Sequence, residues 1–200
     1  MKLARMAVVM IGGLTAVLPA TASAAAKTAA PDCRPPATFA ALAPFGDLRP
    51  YFVAPGGDFE TPAWTLAAGA TRTAGSSPLR LGAAATSLRL PPGGSATSPA
   101  FCVDLDYPTF RFFSAQHAAK SSSNLNVDVL YPALQQSSPK AATVSKGTPA
   151  WELSRDVRLR PERVDKAGSW RQVQIRFSAD KAAAGDWRVD DVLVDPRMRG

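Results

Sequence analysis

The chain is 200 residues long and contains one histidine, two cysteines and three tyrosines. Two distant cysteines and a lone His117 cannot supply the four N or S ligands of a zinc site. The same scarcity excludes an H-E-x-x-H pair, and no G-x-S-x-G elbow accompanies His117. The Walker loop and the dinucleotide fingerprint are also missing. Beyond the first 17 residues no apolar run approaches the roughly 20 that a membrane-spanning helix needs. With 14 Gly and 18 Pro there are many turns, but too few of either for a collagen-like or low-complexity chain. The expectation is a protein without catalytic function. A glycosidase-type carboxylate pair stays open as an alternative, because its spacing exists only in three dimensions.

What is present describes an exported globular chain. The apolar fraction is 46% and the charged fraction 20%, near the globular average. Lys2 and Arg5 precede an uncharged stretch from Met6 to Val17, then Pro19 and the small-x-small triplet Ala22-Ser23-Ala24. That order is a secretory signal peptide, here assigned to residues 1–24, and it implies a secreted, extracellular protein. In an oxidising compartment Cys33 and Cys102 read as one disulfide. The formal charge of +7 invites a polyanionic partner. Arg155, Arg158, Arg160 and Arg163 are, however, interleaved with Glu152, Asp156, Glu162 and Asp165, a solvated face rather than a nucleic-acid stripe.

Residues 25–48 are rich in Ala and Pro and read as irregular. From 49 to 200 the chain alternates short strands with turns. About nine runs qualify: 51–54, 64–73, 87–90, 100–105, 109–114, 124–131, 153–160, 170–178 and 187–194. Their period is two: Leu125, Val127 and Val129 oppose Asn124, Asn126 and Asp128, and Val173, Ile175 and Phe177 oppose Gln172, Gln174 and Arg176. Such alternation describes antiparallel sheets with one buried face, and hence a β-sandwich. Helical signals are limited to Ala115–Lys120 and Asp180–Ala184, while 135–149 reads as a long loop.

Two motifs narrow the sandwich. Gly57-Asp58-Phe59-Glu60 is followed by Trp64, and the chain closes with Asp186-Trp187-Arg188-Val189-Asp190-Asp191-Val192-Leu193-Val194-Asp195. This pair of motifs resembles the galactose-binding-like and carbohydrate-binding modules, in their secreted actinobacterial form. The resemblance implies an all-β antiparallel jelly-roll sandwich of eight to nine strands and a glycan or acidic polysaccharide as ligand, bound at or outside the cell surface. It also implies a structural calcium, with Asp58, Glu60, Asp190 and Asp191 at the motif positions. The residues themselves agree in one respect: Asp191 has the parity of Trp187, Val189 and Leu193, and an unpaired carboxylate among apolar neighbours is costly. Asp191 accepting main-chain N–H groups or pairing with an Arg is the alternative. Val192 and Val194, at the opposite parity, leave the buried face of this strand open.

Arg111, Asn126, Asp128, Gln172 and Gln174 lie at outward parity on three of the runs. If those strands adjoin, amides and charges line one face able to hydrogen-bond sugar hydroxyls. Tyr107, Phe113, Tyr131 and Trp151 are the aromatic platforms within reach. The ordinary wet face of a sandwich is the alternative, and a structural or protein-interaction module of the cell envelope is the competing function.

Overall fold

Alternating side chains need two sheets to bury against each other, and that is the arrangement found. The computed structural model describes residues 33, 36–83, 85–118, 123–132, 136–137, 141–145, 147–159 and 171–195. The chain divides into units 1–30 and 31–200, and every described residue belongs to the second. The signal peptide expected at residues 1–24 lies outside the described residues. So do Arg160 and Arg163.

The strands are β1 (Phe52–Val53), β2 (Thr65–Ala67), β3 (Thr71–Ala74), β4 (Thr86–Leu90), β5 (Ser95–Thr97), β6 (Phe101–Val103), β7 (Thr109–Ala118), β8 (Asn124–Tyr131), β9 (Gln136–Ser137), β10 (Ala142–Ser145), β11 (Glu152–Leu153), β12 (Val157–Arg158), β13 (Arg171–Ala179) and β14 (Gly185–Asp195). One sheet runs β11-β7-β14-β4-β3, with β1 against β14 and β12 against β7. The other runs β10-β8-β13-β5-β2, with β6 against β13 and β9 against β8. Count β4, β5, β7, β8, β10, β11, β13 and β14 as the first to eighth strands. The first sheet then reads sixth, third, eighth, first, and the second reads fifth, fourth, seventh, second. Those are the two interlocked Greek keys of a jelly roll.

Several local features differ from the sequence reading; the run 153–160 splits into β11 and β12, and Asp180–Ala184 forms a turn without helix. The run 64–73 breaks at Ala68 and Gly69, whose φ values of 51° and 81° turn the chain from one sheet into the other. Ala115–Ala118 continue β7 as strand, because Gln116, Ala115 and His117 pair with Trp187, Arg188 and Asp186 of β14. Tertiary pairing overrides the helical preference of alanine there. Finally, β9 and β10 form within the expected loop, β10 pairing with β8 from Ala142↔Val127 to Ser145↔Asn124.

The core lies between the sheets. Trp64 stacks on Phe177 at 5.7 Å, and Phe112 meets Phe177 edge-on at 4.8 Å. Phe113, next along β7, necessarily points the other way. It joins Leu193, Tyr51, Leu42 and Ala41 in a second cluster outside the first sheet. Leu42 is fully buried there, so this part of the Ala/Pro-rich segment is packed chain. Its burial stabilises the fold by about 1.5–3 kcal/mol. Cys33 is disulfide-bonded to Cys102 of β6, with Cα atoms 5.4 Å apart. No helix among the described residues is long and apolar enough to cross a membrane.

Candidate functional site

The opening and closing motifs meet. Val192 N–H donates to Gly57 O and Ala54 N–H to Val192 O, both at 2.9 Å. A Cβ on Gly57 would stand 2.9–3.0 Å from Ala54 O and Val192, so glycine is required by the close approach. Opposite this turn β14 carries a bulge: its register on β7 shifts between Asp190 and Leu193, and Asp191 has φ 46°. Aspartate tolerates that left-handed conformation better than most residues. The bulge also resolves the parity of β14. Trp187 and Val189 face the core before it, Val192 and Val194 after it, and Leu193 turns out into the second cluster.

Asp190 and Asp191 are both buried. Asp190 Oδ2 accepts from Ser76 Oγ at 2.8 Å and Ser77 N at 2.7 Å, while Oδ1 accepts from Asp191 N at 2.9 Å. The Ser77 hydroxyl donates to Asp191. Burial, then the charge of Asp191, pushes Asp190 up to about 7. Burial pushes Asp191 up to about 6, with Asp58 and Glu60 adding repulsion. Four carboxylates around one bulge, none with an ion-pair partner among the described residues, have the donor chemistry of a hard-cation site. The side chains are not drawn together as such a site: among the described residues no group of three or more His, Cys, Asp or Glu is placed to hold a metal. Glu60 Oε1 instead accepts from Ala85 N at 2.8 Å and Thr86 N at 3.0 Å.

Of the five expected ligand residues, four share a surface. On β8 and β13 buried and half-buried residues alternate. Asn126 and Asp128 therefore stand with Gln172 and Gln174 on the outer face of the second sheet. Arg176 lies among them and donates to Asp128 Oδ2 at 2.8 Å. Asn126 donates to Asp180 at 2.7 Å, and Gln174 to Ser98 O at 2.9 Å. Gln172 makes no side-chain hydrogen bond among the described residues. The face is preorganised, with one amide left open.

Arg111 does not belong to this surface. Its strand, β7, lies in the first sheet, and its guanidinium meets Asp47 at 3.2 Å and Asp156 at 3.5 Å and donates to Ser154 O at 3.0 Å. Arg49 completes the cluster, 2.7 Å from both Asp47 and Asp195. Arg49, with the Tyr51 hydroxyl at 2.7 Å, holds the Asp47 carboxyl well below the usual carboxylate range. Outward parity alone does not say which sheet a strand joins, and an Asp at position 47 in an apparently irregular segment gave no signal of a partner. The aromatic candidates are also changed. Phe113 and Tyr131 are buried, Tyr107 packs edge-on to Phe52 at 5.3 Å, and Arg188 stands over Trp151 at 6.0 Å. His117 is an exposed strand residue opposite Asp186.

A cleft of about 670 Å³ opens on one side of the sandwich, a feature no sequence pattern signalled. It lies between β10 and the β11–β12 edge, with Ala142, Val144, Val157 and buried Ser114 in its walls and Glu152 and Arg155 at its rim.

No family model and no curated protein matches the chain. Solved structures do resemble it. The C-terminal family 22 carbohydrate-binding module of a Clostridium thermocellum xylanase is 12% identical with TM-score 0.48, over 75% of this chain and 96% of that one. The likeness is one of fold. A xylan-binding module of family 15 is 12% identical with TM-score 0.45, over 70% and 94% of the two chains. The Agl-KA catalytic domain is 13% identical with TM-score 0.46 over 74% of this chain, which spans only 28% of that protein. At these similarities the jelly-roll assignment rests on the strand order above.

Proposed function

We propose that the protein is a secreted, non-catalytic module that binds glycan through the outer face of its second sheet. The observation that carries this is the grouping of Asn126, Asp128, Gln172 and Gln174 on that one face, with the Asp128–Arg176 pair among them. Amides donate to and accept from sugar hydroxyls, a carboxylate accepts from them, and Arg176, with Nε and Nη2 turned to Asp128, keeps its Nη1 side for a uronate. The face is shallow and carries no exposed aromatic ring among its described residues. Affinity is accordingly expected in the range of about micromolar to millimolar. Calcium belongs to the same proposal as a structural ion at the β14 bulge, held by Asp191 and Asp190 with Asp58 and Glu60 turning inward. Retardation of the mature domain in gels containing neutral or uronate-bearing polysaccharides tests the function. Retardation by at least one of them is expected, and uniform migration across the panel overturns the reading.

A further inference from the structure

The cleft beside β10 adjoins the glycan face at the Thr143–Asn126 hydrogen bond but has a different chemistry. β10 pairs with β8 alone, and β11 and β12 pair with β7 alone among the described strands. Each is therefore the last described strand of its sheet on this side, with outward main-chain N–H and C=O groups that no described strand takes up. Between β11 and β12 the edge stays continuous, because Ser154 N–H donates to Phe112 O and the Ser154 hydroxyl accepts from Phe112 N. Two parallel-running sheet edges thus face each other across the cleft. Packed sheets lie about 10 Å apart and paired strands about 4.8 Å apart. One extended strand set beside β10 in the plane of its sheet stays about one sheet spacing from β11–β12, a gap that interdigitating side chains fill.

The walls and the rim define what fits. Ala142, Val144 and Val157 give small apolar contacts, with the Ser114 hydroxyl among them. Glu152 and Arg155 are exposed and carry opposite charges. Among the described residues the only side-chain hydrogen bond of Glu152 is one of 3.0 Å from the Thr148 hydroxyl, and Arg155 has no ion-pair partner. Both line the cleft, because the chain between β11 and β12 leaves strand geometry and does not alternate strictly. An extended peptide shows every second side chain to one face, so a basic and an acidic residue two positions apart, about 7 Å, face the cleft together. A sugar chain offers neither the matching amide ladder nor the paired charges.

We propose that this cleft binds an extended peptide segment as an added strand along Ala142–Ser145, with a basic residue against Glu152 and an acidic one against Arg155. Main-chain pairing supplies the affinity and the two charges supply the register, as in other edge-strand recognition. The four residues of β10 present about 13 Å of edge, enough for a segment of four to six residues.

The test uses the isotope-labelled mature domain and a synthetic hexapeptide pool, X-Lys-X-Glu-X-X with X either Val or Thr and both ends blocked. Saturable amide shifts at residues 142–145 and 152–157 are expected, with slowed hydrogen exchange along β10. Glu152→Lys should weaken binding about two- to five-fold, the size of one exposed ion pair. A pool with Glu in place of Lys should restore it. A pool N-methylated at alternate amides keeps the side chains but loses the ladder and should not bind. Absence of shifts in β10 up to about 5 mM peptide, the weak end of useful affinity, overturns the proposal, as does equal binding of the N-methylated pool. Glu152→Lys leaves polysaccharide binding unchanged, so this result and that of the glycan proposal are read separately.

Discussion

Raising the pH from 5 to 8 without divalent cations should weaken the fold, because Asp190 and Asp191 are buried as neighbours. Asp190 is pushed up to about 7 from an ordinary 3.8, first by burial and then by Asp191. Between those values the folded protein retains a proton that the unfolded chain has released. Stability therefore falls as pH rises through this window and levels off above it. Three pKa units correspond to about 4 kcal/mol for an isolated group. The two aspartates titrate as a coupled pair, so about 2–4 kcal/mol is the expected total. Asp195, also raised by burial, acts in the same direction. Asp47 acts oppositely: its pKa is depressed by Arg49, so its contribution is present above pH 3.8 and is lost as pH falls below that value. The two effects occupy separate windows. Guanidinium midpoints at pH 5, 6, 7 and 8 in chelator measure the slope, and Asp190→Asn should remove most of it. A wild-type midpoint that is constant or rises from pH 5 to 8 would refute the reasoning.

Calcium added at pH 8 should raise the melting temperature and do so more than at pH 5, since a cation relieves only carboxylates that are ionised; an equal or absent shift at both removes the calcium proposal. Reducing the Cys33–Cys102 bond, which closes a loop of 69 residues, should cost about 4 kcal/mol in chemical denaturation. Gly147→Ala places a Cβ 2.3 Å from the Trp187 ring and 2.7 Å from Gln116 Cβ, and should destabilise by about 1–3 kcal/mol by thermal unfolding. Arg111→Ala leaves Asp47 and Asp156 short of a partner and should destabilise by about 1–3 kcal/mol while glycan affinity is unchanged.

The strands of strict alternation were legible because one face of each is buried. β8 and β13 formed where Leu125–Val129 and Val173–Phe177 placed them, and Gln172, Gln174, Asn126 and Asp128 fell together for that reason. β14 was legible as a strand but not in its facing, since a bulge moves every later side chain by one step and leaves no mark in the residue types. Arg111 shows a different limit. Its outward direction was readable, but the sheet it joins depends on pairing with β14, some 80 residues away. The cleft depends on two edge strands, one of them inside an apparent loop, and β10's Ala-Thr-Val-Ser is too short to stand out from its Ser- and Thr-rich surroundings.

Calorimetric titration of the mature domain and of its Gln172→Ala/Gln174→Ala variant, with whichever polysaccharide retards the wild type most, tests the glycan face most directly. Both side chains stand off the core, so the variant should stay folded, its melting temperature lowered only by the lost Gln174–Ser98 bond, and lose about ten-fold or more in affinity, the loss of roughly two hydrogen bonds. Unchanged affinity in a folded variant would contradict the assignment of this face.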